Sequence, residues 1–278
     1  MSQPVPYFRE SGKGPSVVCI HCSGSSSSQW RSLMELLADR FRVLAVDLYG
    51  SGKTAAWAES RPMRLDDELA LLQPVFEAAG ARFHLVGHSF GGAIAMKAAL
   101  SMGDRLSSLL IFEPVLFSLL LADAPESEAA REILAIRDDT VRLAAEGDMS
   151  GFAERFLDYW LGIGTWQSTP EARKPALVAA MPAVRHEWDA AFQEPTPLTS
   201  FAAINVPALM LTGTKSTAAA RAVARLVTGI LPGVRVEEID GVSHMAPVTH
   251  PERINPIVER FLVATQLTLA GDAGKPRA

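Results

Sequence analysis

Phe83-His84-Leu85-Val86-Gly87-His88-Ser89-Phe90-Gly91-Gly92 begins as an apolar strand, Phe83–Val86, and runs into small residues that read as the start of a helix. Between the two stands Gly-x-Ser-x-Gly, at positions 87 to 91. A sharp strand-to-helix turn lifts a serine oxygen above the sheet and holds the residue in a strained conformation. Such a turn crowds neighbouring backbone, which only glycine tolerates at the flanking positions. The following helix aims its unpaired N–H groups and positive end at an anion formed beside the serine. Gly91, Gly92, Ala93 and Ala95 keep that helix slim enough to press on the sheet. An ordinary Gly-rich turn explains neither the strand before nor the helix after. Ser89 is the candidate nucleophile.

Outward from this turn, short apolar runs alternate with helical patterns, as in a parallel sheet covered on both faces. Before it, Ser16–His21 and Phe41–Val46 read as strands, and Trp30–Ala38 and Asp66–Ala79 as helices. After it come a small-residue helix, Gly91–Met102, and a strand, Leu106–Phe112. The rhythm then breaks. From Pro114 to about Asn205 no strand candidate stands out, while apolar positions recur at helical spacing through Glu128–Glu146 and Gly151–Leu161. It resumes with Ala208–Thr212 as a strand, Thr217–Leu231 as a helix, Val234–Ile239 as a strand and Pro251–Leu269 as a closing helix. The expected organisation is a strand–helix core over 1–113 and 206–270, an inserted helical cap over 114–205, and a flexible tail over 271–278.

A chain of 278 residues buries roughly three quarters of the surface it exposes when unfolded, so its core needs no disulfide or metal. The net charge of −5 argues against nucleic acid or an anionic membrane as partner. Met1–Pro6 lacks the basic and apolar blocks of a signal peptide. The longest apolar stretch, Ser108–Ala122, is interrupted by Glu113 and Pro114 and is too short to span a bilayer. A cytoplasmic location is expected. The two cysteines, Cys19 and Cys22, have Cys-x-x-Cys spacing, but Cys19 lies inside an apolar strand and no second pair completes a zinc site. Gly50-Ser51-Gly52-Lys53-Thr54 superficially suggests a phosphate loop, yet Asp47 stands where that motif requires its first glycine.

The base must reach the serine oxygen above the sheet, so it belongs in a loop after a late strand. Of six histidines, His244 fits, lying in Gly241–Pro247 just beyond Val234–Ile239. His250 precedes a helix, His84 begins a core strand and His186 falls in the cap. A carboxylate must hold the imidazole in one tautomer and support its cation. Glu113 stands at the carboxyl end of the apolar strand Leu106–Phe112, where burial without a partner is costly. It reads either as that carboxylate or as a polar strand end bonded to a cap amide; Asp104 and Asp240 are further candidates.

These motifs resemble the α/β-hydrolase superfamily along nearly the whole chain. The resemblance implies that fold, with a mostly parallel central sheet, helices on both faces and the cap closing the site from above. His21-Cys22-Ser23-Gly24 resembles the family's His-Gly turn, with Cys22 where glycine is usual. The family pattern assigns the oxyanion-hole backbone donors to Ser23 and Phe90, and supporting roles to His21 and His88. Asp47–Gly52 resembles the structural Asp-x-x-Gly-x-Gly turn, and Gly241–His244 the Gly-x-Gly-His turn. Most members carry the acid after the strand that here is Ala208–Thr212, but that slot holds Ser216. Part of the superfamily, haloalkane dehalogenases among them, carries it where Glu113 stands, and the order Ser89, Glu113, His244 keeps the Ser…acid…His sequence. The chain thus resembles a capped serine hydrolase.

The cap carries Phe117, Leu120, Phe156, Trp160, Trp166, Trp188 and Phe192. Many of these serve its own packing; Trp160, Trp166 and Trp188 are the candidate substrate contacts. No arginine cluster suggests a phosphate handle. The expected substrate is a small apolar acyl compound: an ester, thioester or lactone, cleaved through an acyl-enzyme. Alternatives are C–C bond hydrolysis, cofactor-free lyase or perhydrolase chemistry on the same scaffold, and a non-catalytic ligand-binding protein descended from a hydrolase. No metal or organic cofactor is expected.

Overall fold

The computed structural model describes residues 4–273. Its sheet has seven strands: β1 (Phe8–Ser11), β2 (Ser16–Ile20), β3 (Arg42–Val46), β4 (Phe83–His88), β5 (Leu106–Phe112), β6 (Ala208–Gly213) and β7 (Arg235–Ile239). The spatial order is β1-β3-β2-β4-β5-β6-β7, parallel throughout except for β1, which pairs antiparallel with β3. Nothing in the periodicity announces β1. Its four residues, Phe8-Arg9-Glu10-Ser11, form a short edge strand in which two charges leave no alternation to read.

Helices α1 (Arg31–Leu37), α2 (Leu65–Ala78) and α3 (Phe90–Met102) belong to the first half of the core. The segment expected as a cap, and called so below, follows as α4 (Phe117–Asp123), α5 (Glu128–Ala145), α6 (Met149–Leu161), α7 (Thr165–Ser168) and α8 (Lys174–Gln193), with no strand between β5 and β6. The core then resumes through α9 (Ala218–Ile230), α10 (Ala246–Thr249) and α11 (Pro251–Ala273). Helix α11 thus includes Gly271–Ala273, the first residues of the expected tail. The rest of that tail, 274–278, and the opening residues 1–3 lie outside the described residues.

Period-2 alternation explains how one sheet serves two apolar layers. Val17, Cys19, Val43, Ala45, Leu110, Phe112, Leu209 and Leu211 face α1 and α11. Their neighbours Val18, Ile20, Leu44, Val46, Leu109, Ile111, Ala208 and Met210 face α2, α3, α9 and, through them, the cap. Because both faces are covered, the central strands are buried end to end, as all-parallel sheets require. The cap shares its apolar cluster with α3 and α9. It therefore sits on the core rather than swinging free of it.

Among the described residues no helix is long and apolar enough to cross a membrane. The turn after β3 is filled by the buried Asp47 carboxylate, which accepts from the N–H groups of Ser27 at 2.6 Å and Lys53 at 2.9 Å. A Cβ on Gly52 would lie 2.0 Å from that carboxylate, so the glycine makes room for a side chain.

Candidate active site

Strand β4 ends at His88 and α3 begins at Phe90, leaving Ser89 alone at the turn with φ 57° and ψ −116°. The turn is pinned on three sides. The Ser89 N–H donates to the carbonyl of Phe112 (2.9 Å), its carbonyl accepts from the Ala93 N–H (3.0 Å), and the Gly91 N–H donates to the carbonyl of His21 (3.1 Å). A Cβ on Gly87 would meet the Gly91 carbonyl oxygen at 2.4 Å, and one on Gly91 would meet that of Ile20 at 2.3 Å. The two glycines of the motif are thus required by backbone approach, as its spacing suggests.

The loop after β7 carries His244 to the same place. Its Nε2 lies 2.9 Å from Ser89 Oγ and its Nδ1 lies 2.7 Å from Glu113 Oε2. All three side chains are buried. Glu113 follows directly on β5, and its second oxygen, Oε1, accepts from the Gly213 N–H at 2.8 Å. The carboxylate therefore serves two N–H donors, neither from the cap. Ser89 and Glu113 are also the two non-glycine residues with positive φ among those described, 57° and 42°. Backbone strain at two positions 24 apart in sequence meets at one site, where packing must hold it in place. The other acid candidates lie elsewhere: Asp240 is exposed and accepts from the Thr214 hydroxyl, and Asp104 is exposed at the end of α3.

The Ser216 position has its own signature. Its hydroxyl oxygen is buried without a hydrogen-bond partner, beside the Gly213 backbone that Glu113 binds.

Sequence reading missed a brace behind the site. The Cys22 N–H donates to Gln29 Oε1 (3.2 Å), Gln29 Nε2 donates to His88 Nδ1 (3.1 Å), and His88 Nε2 donates to the His244 carbonyl (2.9 Å). This chain ties the Cys22–Ser23 turn to the loop that carries His244. Burial and the neighbouring His244 hold the His88 imidazole well below its ordinary pKa, so it acts as a neutral strut with one donor and one acceptor. His21 does the same on the other side. Its Nδ1 donates to the Cys22 carbonyl (2.8 Å), its Nε2 accepts from the Leu48 N–H (3.2 Å), and burial lowers its pKa to about 4. Gln29 lies in a serine-rich loop with no periodicity to mark it.

A narrow cavity opens over Ser89. Ser23 and Phe90 line it, and among the described residues neither backbone N–H is engaged by another backbone group. The cap supplies Phe117, Phe156, Trp160, Val184, Trp188 and Ala191. Of the three candidate tryptophans, Trp160 and Trp188 face the cavity and Trp166 does not. Trp166 is buried within the cap, its backbone N–H donating to Asp158 Oδ1 at 2.9 Å and the Lys174 ammonium 5.0 Å from its ring centre. Its place on the one-turn helix α7, beyond the glycine turn at 162–164, swings it off the stripe that Phe156 and Trp160 share on α6.

One further lining residue is Glu187, on α8. A sequence signal for it exists. Val184, Glu187, Trp188 and Ala191 fall at i, i+3, i+4 and i+7, so the acid occupies a buried-stripe position. The stripe passes unnoticed because Pro182 interrupts the helical pattern.

The model of the alpha/beta hydrolase family matches residues 17–257 of this chain. Among curated proteins, the chain is similar to the pimeloyl-[acyl-carrier protein] methyl ester esterase of Methylococcus capsulatus, with 27% identity over 93% of this chain and 99% of that one. Among solved structures it resembles the enol-lactonase of Burkholderia xenovorans, with TM-score 0.73, 21% identity, and coverage of 93% and 96% of the two chains. It also resembles a thermophilic esterase of Thermogutta terrifontis, with TM-score 0.69, 23% identity, and coverage of 95% and 99%. With a family match across most of its length, residues 17–257, the chain belongs to the alpha/beta hydrolase family.

Proposed function

We propose that this hydrolase cleaves a small apolar ester, thioester or lactone through an acyl-enzyme on Ser89. The observation that carries the reading is the unbroken chain from Ser89 Oγ through His244 to Glu113, with links of 2.9 and 2.7 Å. In the proposed reaction Ser89 Oγ attacks the carbonyl carbon as His244 Nε2 takes its proton. Charge develops on the carbonyl oxygen, toward which the Ser23 and Phe90 N–H groups and the start of α3 are offered. The alkoxide or thiolate leaves with the proton from Nε2. Water, deprotonated by the same nitrogen, then releases the acid. Glu113 keeps the imidazole in the tautomer with hydrogen on Nδ1 and supports the imidazolium.

The apolar cap walls support an apolar acyl group, and the methyl ester esterase relative supports ester chemistry. The test uses a p-nitrophenyl ester series together with a fluorophosphonate probe. Wild type should turn over short acyl esters and take the label, and Ser89→Ala should do neither while remaining folded. Unchanged turnover in folded Ser89→Ala protein sinks the nucleophile, and failure of wild type to label favours a binding protein.

A further inference from the structure

We propose that Glu187 is a specificity-determining residue that receives a hydroxyl group borne by the acyl substrate on the first or second carbon beyond the scissile carbonyl. The proposal rests on the ester-hydrolase reading above and deepens it. Glu187 is 2% exposed, and its side chain lines the same cavity as Ser89, Ser23 and His244. Neither carboxyl oxygen has a well-formed hydrogen-bond partner, and the nearby Ser23 side chain holds the group only in part. It is the one acidic residue lining that cavity among those described, and no lysine or arginine lines it. A buried polar group without a partner is costly, and a leucine at this stripe position would pack without that cost. The acid is therefore built for something that enters the cavity.

The surroundings select the chemical class. Burial lifts the Glu187 carboxyl to about 7, with the adjacent Ser23 side chain offsetting part of the rise. A second buried carboxyl, Glu68, accepts from the Tyr49 N–H, and burial together with Glu187 raises its pKa well above the usual carboxylate range. Cys22, also close, stays a thiol, its pKa pushed up to about 12. Near neutral pH Glu187 is thus available as the acid, with one O–H donor and one carbonyl acceptor. A hydroxyl offers the same complement. An ammonium ion offers donors only, and stripping its water in this cavity costs more than stripping that of a hydroxyl. Location follows from Ser23, the proposed oxyanion-hole donor, which lines the cavity with its side chain beside Glu187. A substituent reaching Glu187 must branch close to the carbonyl.

The test compares methyl butanoate with its 2-hydroxy, 3-hydroxy and 3-amino derivatives on wild type, Glu187→Gln and Glu187→Leu. Turnover is followed by pH-stat, and affinity by calorimetry on the same variants carrying Ser89→Ala. Wild type should prefer one hydroxy ester over the plain ester by tenfold or more. Glu187→Gln, which still donates and accepts, should keep that preference within about threefold, and Glu187→Leu should bring the ratio near one. Glu187→Leu should also melt higher than wild type, because an unpartnered buried carboxyl has gone. Equal ratios in wild type and Glu187→Leu overturn the proposal, as does a lower melting temperature with an unchanged ratio, which would make Glu187 a strut. Preference for the amino ester, lost in Glu187→Gln, overturns the hydroxyl class. Hydroxyl-selective binding without turnover of any ester overturns the hydrolase reading alone. Turnover without hydroxyl discrimination overturns the Glu187 assignment alone.

Discussion

The indole of Trp160 lies over the imidazole of His244, ring centroids 4.2 Å apart and planes inclined by 33°. Trp160 belongs to the cap helix α6 and His244 to the core loop after β7, so the contact joins the two parts at the candidate active site. In the proposed reaction this imidazole becomes a cation, which an aromatic face beside it favours by on the order of 1 kcal/mol. Trp160→Ala should therefore lower kcat/KM for a p-nitrophenyl ester roughly tenfold, and Trp160→Phe should restore most of it. Wild-type kinetics in folded Trp160→Ala protein would show that the stacking carries no catalytic weight.

The three cap tryptophans should separate by function. Trp160 and Trp188 line the cavity, so truncating either to alanine should shift the preferred acyl chain length upward. Trp166 is buried inside the cap, so Trp166→Ala should leave the preference profile intact and destabilise the protein by about 3–5 kcal/mol. A chain-length series read beside thermal melts checks this. A profile change in Trp166→Ala equal to that in Trp160→Ala would contradict the division.

What the sequence disclosed follows from the range of the forces involved. The elbow at 87–91 was legible because backbone crowding writes glycine at fixed offsets from Ser89. Glu113 was legible as a carboxylate at the end of an apolar strand, since burial makes such a residue conspicuous. The second partner of Glu113 was not, because the Gly213 N–H is a backbone group brought near by strand pairing. Gln29 and Glu187 escaped for a related reason. Each acts through a neighbour remote in sequence; the single turn of Gln29 is too short to show a period, and Pro182 masks the helical stripe on which Glu187 sits. Trp166 misled because composition places a tryptophan in the cap without saying which way it points.

Buried histidines should set the acid limb of stability. Burial lowers the pKa of His21 and His84 to about 4, and His84 is held neutral between Ser108 Oγ at 2.8 Å and Gln266 Oε1 at 3.2 Å. A histidine whose folded pKa lies below its unfolded value near 6.5 binds more protons when unfolded. Its contribution is complete above about 6.5 and is lost as pH falls toward 4. Melting temperature should fall across that window, and His84→Gln should flatten the fall. An identical acid limb in His84→Gln would exclude His84 as a source.

Glu187 should act in the opposite direction. Its folded pKa of about 7 lies above the ordinary carboxylate value of 4.5, so the folded state holds the extra proton. That contribution is complete below about 4.5 and is lost as pH rises through 7. The melting temperature of Glu187→Gln relative to wild type should therefore climb between pH 5 and 8. A constant difference across that range would show that Glu187 ionises normally in the fold.

The last prediction concerns Glu113, whose two oxygens answer two donors: Oε2 faces His244 Nδ1 and Oε1 accepts the Gly213 N–H. Glutamine has nearly the same shape but only one acceptor oxygen. In Glu113→Gln, that oxygen can serve one donor while the amide NH₂ confronts the other. If it keeps Gly213, the NH₂ favours the imidazole tautomer with its proton on Nε2, which cannot take the Ser89 proton. If it keeps His244, the buried Gly213 N–H is left unpaired, and the imidazolium still lacks a counter-charge. Either outcome should lower kcat by roughly 10³–10⁴, with KM little changed because Glu113 does not line the cavity. Adding Ser216→Asp tests whether a carboxylate can return from β6. The Ser216 hydroxyl is buried without a partner, so the position already points into protein, and part of kcat should come back. The single variant is decisive: Glu113→Gln near wild-type kcat would leave Ser89 and His244 working as a dyad, with the strained backbone at Glu113 serving the fold alone.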